Sequence, residues 1–157
     1  MILNGATRFY AVPKLHIKKT EDLAKSPGKR QSLLEYGGLV APDTLEFMQG
    51  AYVKQESDDG IETSVFDMTY QGPTGGTHYR LWIDPKTRVV TKRVWFDGDN
   101  KLRATFTYLD IHEAAPGIWL PGRIEVKNAD GVVAAEVAIS DAKVNTALPD
   151  SLFDVNQ

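Results

Sequence analysis

The chain contains 157 residues, no cysteine and a formal net charge of −3, with 42% hydrophobic and 25% charged residues. This length favours one domain, residues 1–157, that buries a core without covalent cross-links. The lack of cysteine excludes a disulfide framework, thiolate metal ligands and a cysteine nucleophile. The charge balance gives no general case for nucleic-acid binding.

The sequence predicts neither a membrane span nor an export signal. No apolar run approaches the roughly 18 residues that a membrane helix needs. The first ten residues, M-I-L-N-G-A-T-R-F-Y, lack the basic leader and the apolar run of a signal peptide. From the residues alone we expect either a cytoplasmic protein or a mature or trimmed form of an exported one.

Two strands are predicted near the N-terminus. Residues 7–12, T-R-F-Y-A-V, have strong β-propensity, and residues 15–19 form a second extended run. Pro13 lies between the two runs and cannot donate a ladder hydrogen bond. We therefore expect a bend or a sheet edge at this point.

Three short helices are predicted next. The first is capped by Thr20 and ends at residues 26–28, and the second spans residues 30–36 and stops at Gly37 and Gly38. The third begins at residues 41–44. Because such short helices are unstable alone in water, we expect the third to plug the apolar side of a sheet. Its apolar residues are Leu45, Phe47 and Met48.

The rest of the sequence predicts an antiparallel meander. Residues 51–56 and 61–70 flank a hairpin signal at 57–60, and four further β-rich runs lie between residues 77 and 141. Apolar residues alternate along the runs, which places an apolar row on one face of the sheet. We predict an α+β fold that is mainly antiparallel β, with short helices over one face. The predicted turns are D-P-K-T at 84–87, D-G-D-N at 97–100 and N-A-D-G at 128–131.

No catalytic or metal-binding motif is recognisable. None of the three histidines has a metal-like spacing to another His, Asp or Glu. The D-G-D-N sequence invites a calcium-loop interpretation, but the sixth and twelfth positions counted from Asp97 are Leu102 and Tyr108. A hairpin turn is the better interpretation. We therefore predict no metal, no cofactor and no enzymatic activity.

Apolar and aromatic residues are the informative feature of the meander. Trp82, Trp95 and Trp119 lie on three of its predicted strands. Two interpretations stay open: an ordinary sheet core, or an apolar cleft that takes a ligand. The candidates for a ligand-facing row on the concave side are Tyr79, Leu81, Ile83, Val94, Phe96, Ile124, Val126, Val137 and Ile139.

Three stretches together resemble a known family. They are N-G-A-T-R-F-Y-A-V-P-K at 4–14, L-W-I-D-P-K-T-R-V-V at 81–90 and N-T-A-L-P-D-S-L-F at 145–153. In this order, with short helices after the first, they resemble the LolA-like family of periplasmic outer-membrane lipoprotein carrier and sorting proteins. The resemblance covers nearly the whole chain. It implies an incomplete antiparallel barrel, or half barrel, whose apolar concavity holds acyl chains and is plugged by short helices.

The start of the sequence departs from the family pattern. Family members normally begin with a signal peptide, an N-terminal helix and several strands before the segment that residues 4–14 resemble. We expect their absence here to leave a bare strand edge near Thr7 to Lys19. An unpaired edge invites pairing with another chain, which predicts dimerisation or poor solubility.

Three functional hypotheses follow from the sequence. The first is a non-enzymatic, periplasmic carrier for the acyl chains of lipoproteins or other lipids, in which Gly37, Gly38 and Gly50 hinge the plug helix. The second is a protein-interaction or sensor module that uses a strand edge or the basic segment 8–30. The third and least favoured is an enzyme with a site assembled only in space.

Overall fold

The computed structural model of the protein describes residues 2–4, 7–12, 16–22, 48–58, 60–70 and 78–149. The chain divides into two compact units, residues 1–31 with 145–157 and residues 32–144. All regular elements among the described residues are β-strands. The expected single domain stays a prediction, and the predicted helix at 30–36 and the plug residues Leu45 and Phe47 lie outside the described residues.

The first unit contains a three-stranded antiparallel sheet. Its strands are β1 (Ile2–Asn4), β2 (Thr7–Val12) and β3 (Ile17–Asp22), in the order β1-β2-β3. The prediction of strands at 7–12 and from residue 17 onward is confirmed. The expected bare edge is wrong for β2, because β2 is paired on both sides.

The predicted start of the first helix, capped by Thr20, is also wrong, and the rest of that helix, residues 23–28, lies outside the described residues. Thr20 lies within β3, opposite Phe9, and Glu21 lies opposite Arg8 on β2. Arg8 and Lys19 both form ion pairs with Glu21. The hydrogen bonds from Lys19 and then Arg8 lower the pKa of Glu21 to about 2. The Arg8–Glu21 contact between β2 and β3 favours an extended backbone over the local helical signal.

The second unit contains a seven-stranded antiparallel sheet and a separate two-stranded hairpin. Met48, predicted in the plug helix, is instead the first residue of a strand. The order across the large sheet is β12-β11-β8-β7-β6-β5-β4, and β9 pairs with β10 in the hairpin. The strands are β4 (Met48–Asp58), β5 (Ile61–Tyr70), β6 (His78–Ile83), β7 (Val90–Phe96), β8 (Leu102–Leu109), β9 (His112–Ala115), β10 (Ile118–Leu120), β11 (Arg123–Asn128) and β12 (Val133–Ala138).

The mainly antiparallel meander is therefore confirmed, and so are its turns. Asp97 accepts hydrogen bonds from the amides of Asp99 and Lys101, each at 3.0 Å, and Asn128 holds its turn by bonds to Asp130 and Val132. These local bonds fix the two hairpins. The amides of Lys101, the larger cause, and Asp99 also lower the pKa of the Asp97 carboxyl.

Strand pairing divides the side chains of the large sheet between two faces. On β8, Ala104, Phe106 and Tyr108 are buried and alternate with half-buried Thr105 and Thr107. Directly paired residues lie on the same side of a sheet. We call the side that carries Ala104, Phe106, Tyr108 and Ile124 the Phe106 face. The opposite side, which carries Val65, Trp82 and Val94, is the Trp82 face.

Ile124 is predicted to be the most sensitive apolar position of the Phe106 face. Its side chain is fully buried, whereas Val133 on the outer strand β12 is 48% exposed. Ile124→Ala is expected to lower the free energy of unfolding by about 2–5 kcal/mol, because it leaves a cavity. Val133→Ala is the control and should cost less than about 1 kcal/mol. Similar urea midpoints for the two variants would contradict this assignment of the core.

Candidate functional site

The Phe106 face is the largest apolar cluster among the described residues. Ala104, Phe106, Tyr108 and Ile124 are each less than a tenth exposed, and partly buried apolar side chains pack against them. These neighbours come from β7, β11 and the segment that follows β12. They are Val90, Trp95, Val126 and Ile139.

The sequence-predicted ligand row is divided by the structure. Cross-strand pairing places Tyr79, Leu81 and Ile83 on the Phe106 face, because Tyr79 lies opposite Trp95 and Leu81 lies opposite Arg93. It also places Ile124, Val126 and Val137 there, and Ile139 packs against the same cluster.

Val94 and Phe96 do not belong to this row. Both pack with Val65 and Trp82 on the opposite side of the sheet. The pairing of β6 with β7 explains this placement. Arg80 and Trp82 lie on the same side of β6, and Val94 lies opposite Arg80. The sequence-predicted single row was wrong for these two residues, and a ligand-binding role for the other seven stays a prediction.

Six residues of the Phe106 face, Val90 among them, were absent from the predicted row. Phe106, Tyr108 and Ala104 follow a visible alternation with Thr105 and Thr107 along β8. That alternation is a signal from which they could have been found. Trp95 was noted only as an aromatic residue, and Arg93 carried no apolar signal at all.

Arg93 is a buried charge within the apolar face. Arg93 is only 7% exposed. The guanidinium carbon lies 4.0 Å from the ring centroid of Phe106 and 5.5 Å from that of Tyr79. Stacking of a guanidinium on aromatic rings is favourable, and more so where water is excluded. Arg93 therefore gives this face a positive charge held by aromatic residues.

Two hydrogen-bond donors are buried beside Arg93. Trp95 Nε1 and the Tyr108 hydroxyl have no hydrogen-bond partner in the part of the chain that the structure describes. Trp95 lies two residues along β7 from Arg93, and Tyr108 lies two residues along β8 from Phe106, which is opposite Arg93. A buried donor without a partner costs about 1–3 kcal/mol. Such groups favour any acceptor that can reach them.

The Tyr108 hydroxyl remains protonated at neutral pH. Burial raises its pKa above the ordinary value of 10.0, and the positive charge of Arg93 opposes this increase only in part. A protonated hydroxyl can donate a hydrogen bond. Trp95 Nε1 and the Tyr108 hydroxyl thus present two hydrogen-bond donors on this face.

Ion pairs on the Trp82 face contrast with this arrangement. Arg80 donates two hydrogen bonds to Asp67, at 2.7 and 2.8 Å. Trp82 Nε1 donates to the Glu56 carboxylate, and Lys92 lies 4.6 Å from the centroid of the Trp82 ring. The polar groups named here have partners within the sheet. We interpret this network as structural.

The pKa values of the acidic groups in the network are lowered. The hydrogen bond from Lys54, followed by that from Trp82, lowers the pKa of Glu56. The hydrogen bond from Arg80 lowers the pKa of Asp67 from its ordinary value of 3.8. Both carboxylates are therefore ionised at neutral pH.

The described residues form neither a cluster suited to a metal ion nor a helix suited to span a membrane. Within 2–22, 48–70 and 78–149, apart from their gaps, no three His, Cys, Asp or Glu residues are placed to hold a metal ion. The same residues contain no helix of the length and apolarity needed to span a bilayer.

Comparison with protein families gives one match. A family model described as "Uncharacterized protein" matches residues 19–157. No curated protein matches the sequence at a significant level.

Three solved structures share the fold. A DUF1329 family protein from Desulfovibrio piger has a TM-score of 0.75 at 15% identity, covering 95% of this chain and 63% of that one. A LolA superfamily protein from Nitrosomonas europaea has a TM-score of 0.61 at 19% identity, and the match covers 97% of this chain and 68% of that one. A domain described as a candidate outer membrane lipoprotein-sorting protein, from Vibrio parahaemolyticus, has a TM-score of 0.61 at 15% identity, and the match covers 91% of this chain and 64% of that one.

These likenesses confirm the LolA-like resemblance at the level of the fold. The chain spans 63–68% of the length of the three proteins. Their low identities carry no residue-by-residue correspondence, so the chemistry of the site must come from this chain's own side chains.

The Asp67–Arg80 pair yields a pH-dependent prediction. A lowered carboxyl pKa adds stability that is complete above the ordinary value of 3.8 and lost as the pH falls through the folded-state pKa. Asp67→Asn is expected to cost at most about 1 kcal/mol at pH 7, because both side chains are about one-third exposed. Denaturant midpoints should differ at pH 7, and the difference should shrink only as the pH falls below 3.8 towards the lowered pKa of Asp67.

Asp130→Asn is the control for this measurement, because Asp130 lies on an exposed turn. It should leave the midpoint nearly unchanged at every pH. A difference between wild type and Asp67→Asn that persists undiminished at pH 2 would contradict the assignment.

Proposed function

We propose that this chain is a non-enzymatic acyl-chain carrier. The premise is that the chain belongs to the family whose model matches residues 19–157 and that it has the LolA-like fold. Its ligand would be the acyl chains of a lipoprotein or another lipid, held against the Phe106 face. The observation that carries the proposal is the apolar cluster of this face, to which β7, β8, β11 and the segment after β12 contribute.

The chemistry of the Phe106 face supports an acyl ligand. Phe106, Ile124 and Val126 offer rings and branched aliphatic groups rather than charges or amides. Each methylene group transferred from water to such a surface contributes about 0.8 kcal/mol. An acyl chain can therefore gain useful affinity by burial alone, without a cofactor.

Ligand access would require this face to open. Phe106 and Tyr108 are each 4% exposed, and Ile124 is fully buried. If opening precedes binding, the observed rate of ligand uptake should reach a plateau as ligand concentration rises. Of the three predicted hinge residues, Gly37 and Gly38 lie outside the described residues and stay a prediction, whereas Gly50 lies within the strand β4.

A periplasmic location is part of the same proposal. The words "outer membrane lipoprotein-sorting" and "LolA superfamily" describe two of the structural relatives. They support a role at the bacterial envelope for this chain. An exported protein without cysteine would also be indifferent to an oxidising compartment.

A matched pair of valine substitutions tests the proposed ligand face. Val126→Thr places a hydroxyl on the half-buried part of the Phe106 face, and Val94→Thr does the same on the Trp82 face. Burial of the unpaired hydroxyl against an acyl chain should weaken binding of a fluorescent fatty acid about 5-fold for Val126→Thr only. Fluorescence titration measures the affinity, and thermal unfolding measures the stability of each variant.

Two results would contradict the proposal. One is wild-type protein that takes up no fatty acid and retains no lipid in native mass spectrometry after purification from bacteria. The other is equal loss of affinity in both valine variants, which would show that the effect follows stability rather than the ligand face.

A second candidate function is a protein-interaction module, favoured by the outer strand β12. All six residues of β12 are exposed, and Glu136 is its one charged residue. Val133 and Val137 are 48% and 37% exposed. An exposed, weakly charged outer strand can add a strand from another chain.

This candidate predicts self-association through β12. Val133→Lys should weaken a dimer at least about 10-fold in sedimentation analysis, because charges block strand pairing at an edge. Val53→Lys on the opposite outer strand β4, where Val53 is 41% exposed, is the control. A monomeric wild-type protein, or equal effects of both variants, would exclude pairing through β12.

A further inference from the structure

The Phe106 face contains a polar site that apolar burial does not explain. Arg93, Trp95 Nε1 and the Tyr108 hydroxyl lie on adjacent strands β7 and β8. Trp95 Nε1 and the Tyr108 hydroxyl are buried without a hydrogen-bond partner among the described residues. A surface that served only hydrocarbon would be better lined by Phe at both positions.

We propose that these three side chains bind the acyl oxygen of the ligand, that is, the carboxylate of a fatty acid or the carbonyl of an acyl ester. This inference rests on the proposed carrier function and deepens it by naming the ligand group that the face recognises. The hydrocarbon chain would then lie along the apolar part of the face, towards Ile124 and Val126.

The register brings the donors to one region of the face. Arg93 lies directly opposite Phe106, Trp95 lies opposite Ala104, and Tyr108 is the next residue of the same face on β8. The Cα atoms of residues i and i+2 on one strand are about 7 Å apart. Trp95 and Tyr108 therefore lie on either side of Phe106 and Arg93 along the strands, so a head group beside Arg93 has one donor on each side.

The charge of the site selects the kind of group. Arg93 is 7% exposed, and its guanidinium lies 4.0 Å from the Phe106 ring, so its charge acts where water is excluded. The indole N–H of Trp95 can only donate, and the protonated hydroxyl of Tyr108 donates to any acceptor that reaches it. A carboxylate or a carbonyl oxygen satisfies such a site, and a cationic head group does not.

Ligands of equal chain length test the inference on the wild-type protein. Dodecanoate, methyl dodecanoate and dodecyltrimethylammonium share twelve-carbon chains but carry an anionic, a neutral acceptor and a cationic head group. In competition with a fluorescent fatty acid, dodecanoate and its ester should both bind at least about 10-fold more tightly than the cation. Equal affinity for the cation would overturn the inference.

Conservative variants test the donors one at a time. Trp95→Phe and Tyr108→Phe each remove a donor and keep a ring, and each should weaken binding of dodecanoate and its ester about 3- to 10-fold. The matched controls are Trp119→Phe on β10 and Tyr52→Phe on β4, where Tyr52 is 61% exposed. Thermal unfolding confirms that each variant is folded.

The wild-type affinities distinguish the two sources of the acyl oxygen: tighter binding of dodecanoate indicates a free carboxylate, and equal or tighter binding of the methyl ester indicates an ester carbonyl. Arg93→Met should weaken dodecanoate more than the methyl ester, because only the acid loses a charge–charge attraction. No loss for either ligand would show that Arg93 does not bind the head group. Arg103→Met is the control, because Arg103 is exposed on β8 and pairs with Asp97 at 3.8 Å.

The outcomes separate this inference from the proposed function. If wild type binds the dodecyl ligands but both donor variants bind the acid and the ester as tightly as wild type, the carrier proposal stands and the acyl-oxygen site is wrong. If wild type binds none of the three ligands, the carrier proposal and the inference both fail.

Discussion

The two-residue period of one central strand, β8, is the constraint on which the rest of the large sheet depends. Ala104, Phe106 and Tyr108 are buried on one side of β8, while Thr105 and Thr107 occupy the other. Pairing on both edges extends this division to β7 and β11. A shift of register by one residue would bring the threonines to the Phe106 face, so burial of this face and strand register stabilise each other.

The same register explains why the two faces differ in chemistry. On the Trp82 face, Arg80 is aligned with Asp67, and Trp82 donates to Glu56, so the polar groups neutralise one another. On the Phe106 face, Arg93 is aligned with Leu81 and Phe106, and its guanidinium stacks on an aromatic ring. The first arrangement stabilises the sheet. The second leaves buried donors beside a large apolar surface, which is the basis of the proposed acyl site.

Much of the fold could be predicted from the sequence, because turn residues and alternation are local signals. The hairpins at 97–100 and 128–131 and the strands from residue 51 onward follow from them. The face of Val94 could not be predicted, because it depends on the register of β7 against β6, including a bulge between Trp82 and Ile83. Thr20 lies in a strand because β2 supplies pairing partners, a non-local effect.

The most direct test of this account is photo-crosslinking of a diazirine-labelled fatty acid, with the modified residues located by mass spectrometry. The account predicts labels on alternate residues of β8 and β11, at Phe106, Tyr108, Ile124 and Val126. Thr105, Thr107 and Glu125, which point to the other side, should remain unlabelled. Labels distributed equally over both faces, or concentrated around Trp82 and Val94, would contradict it.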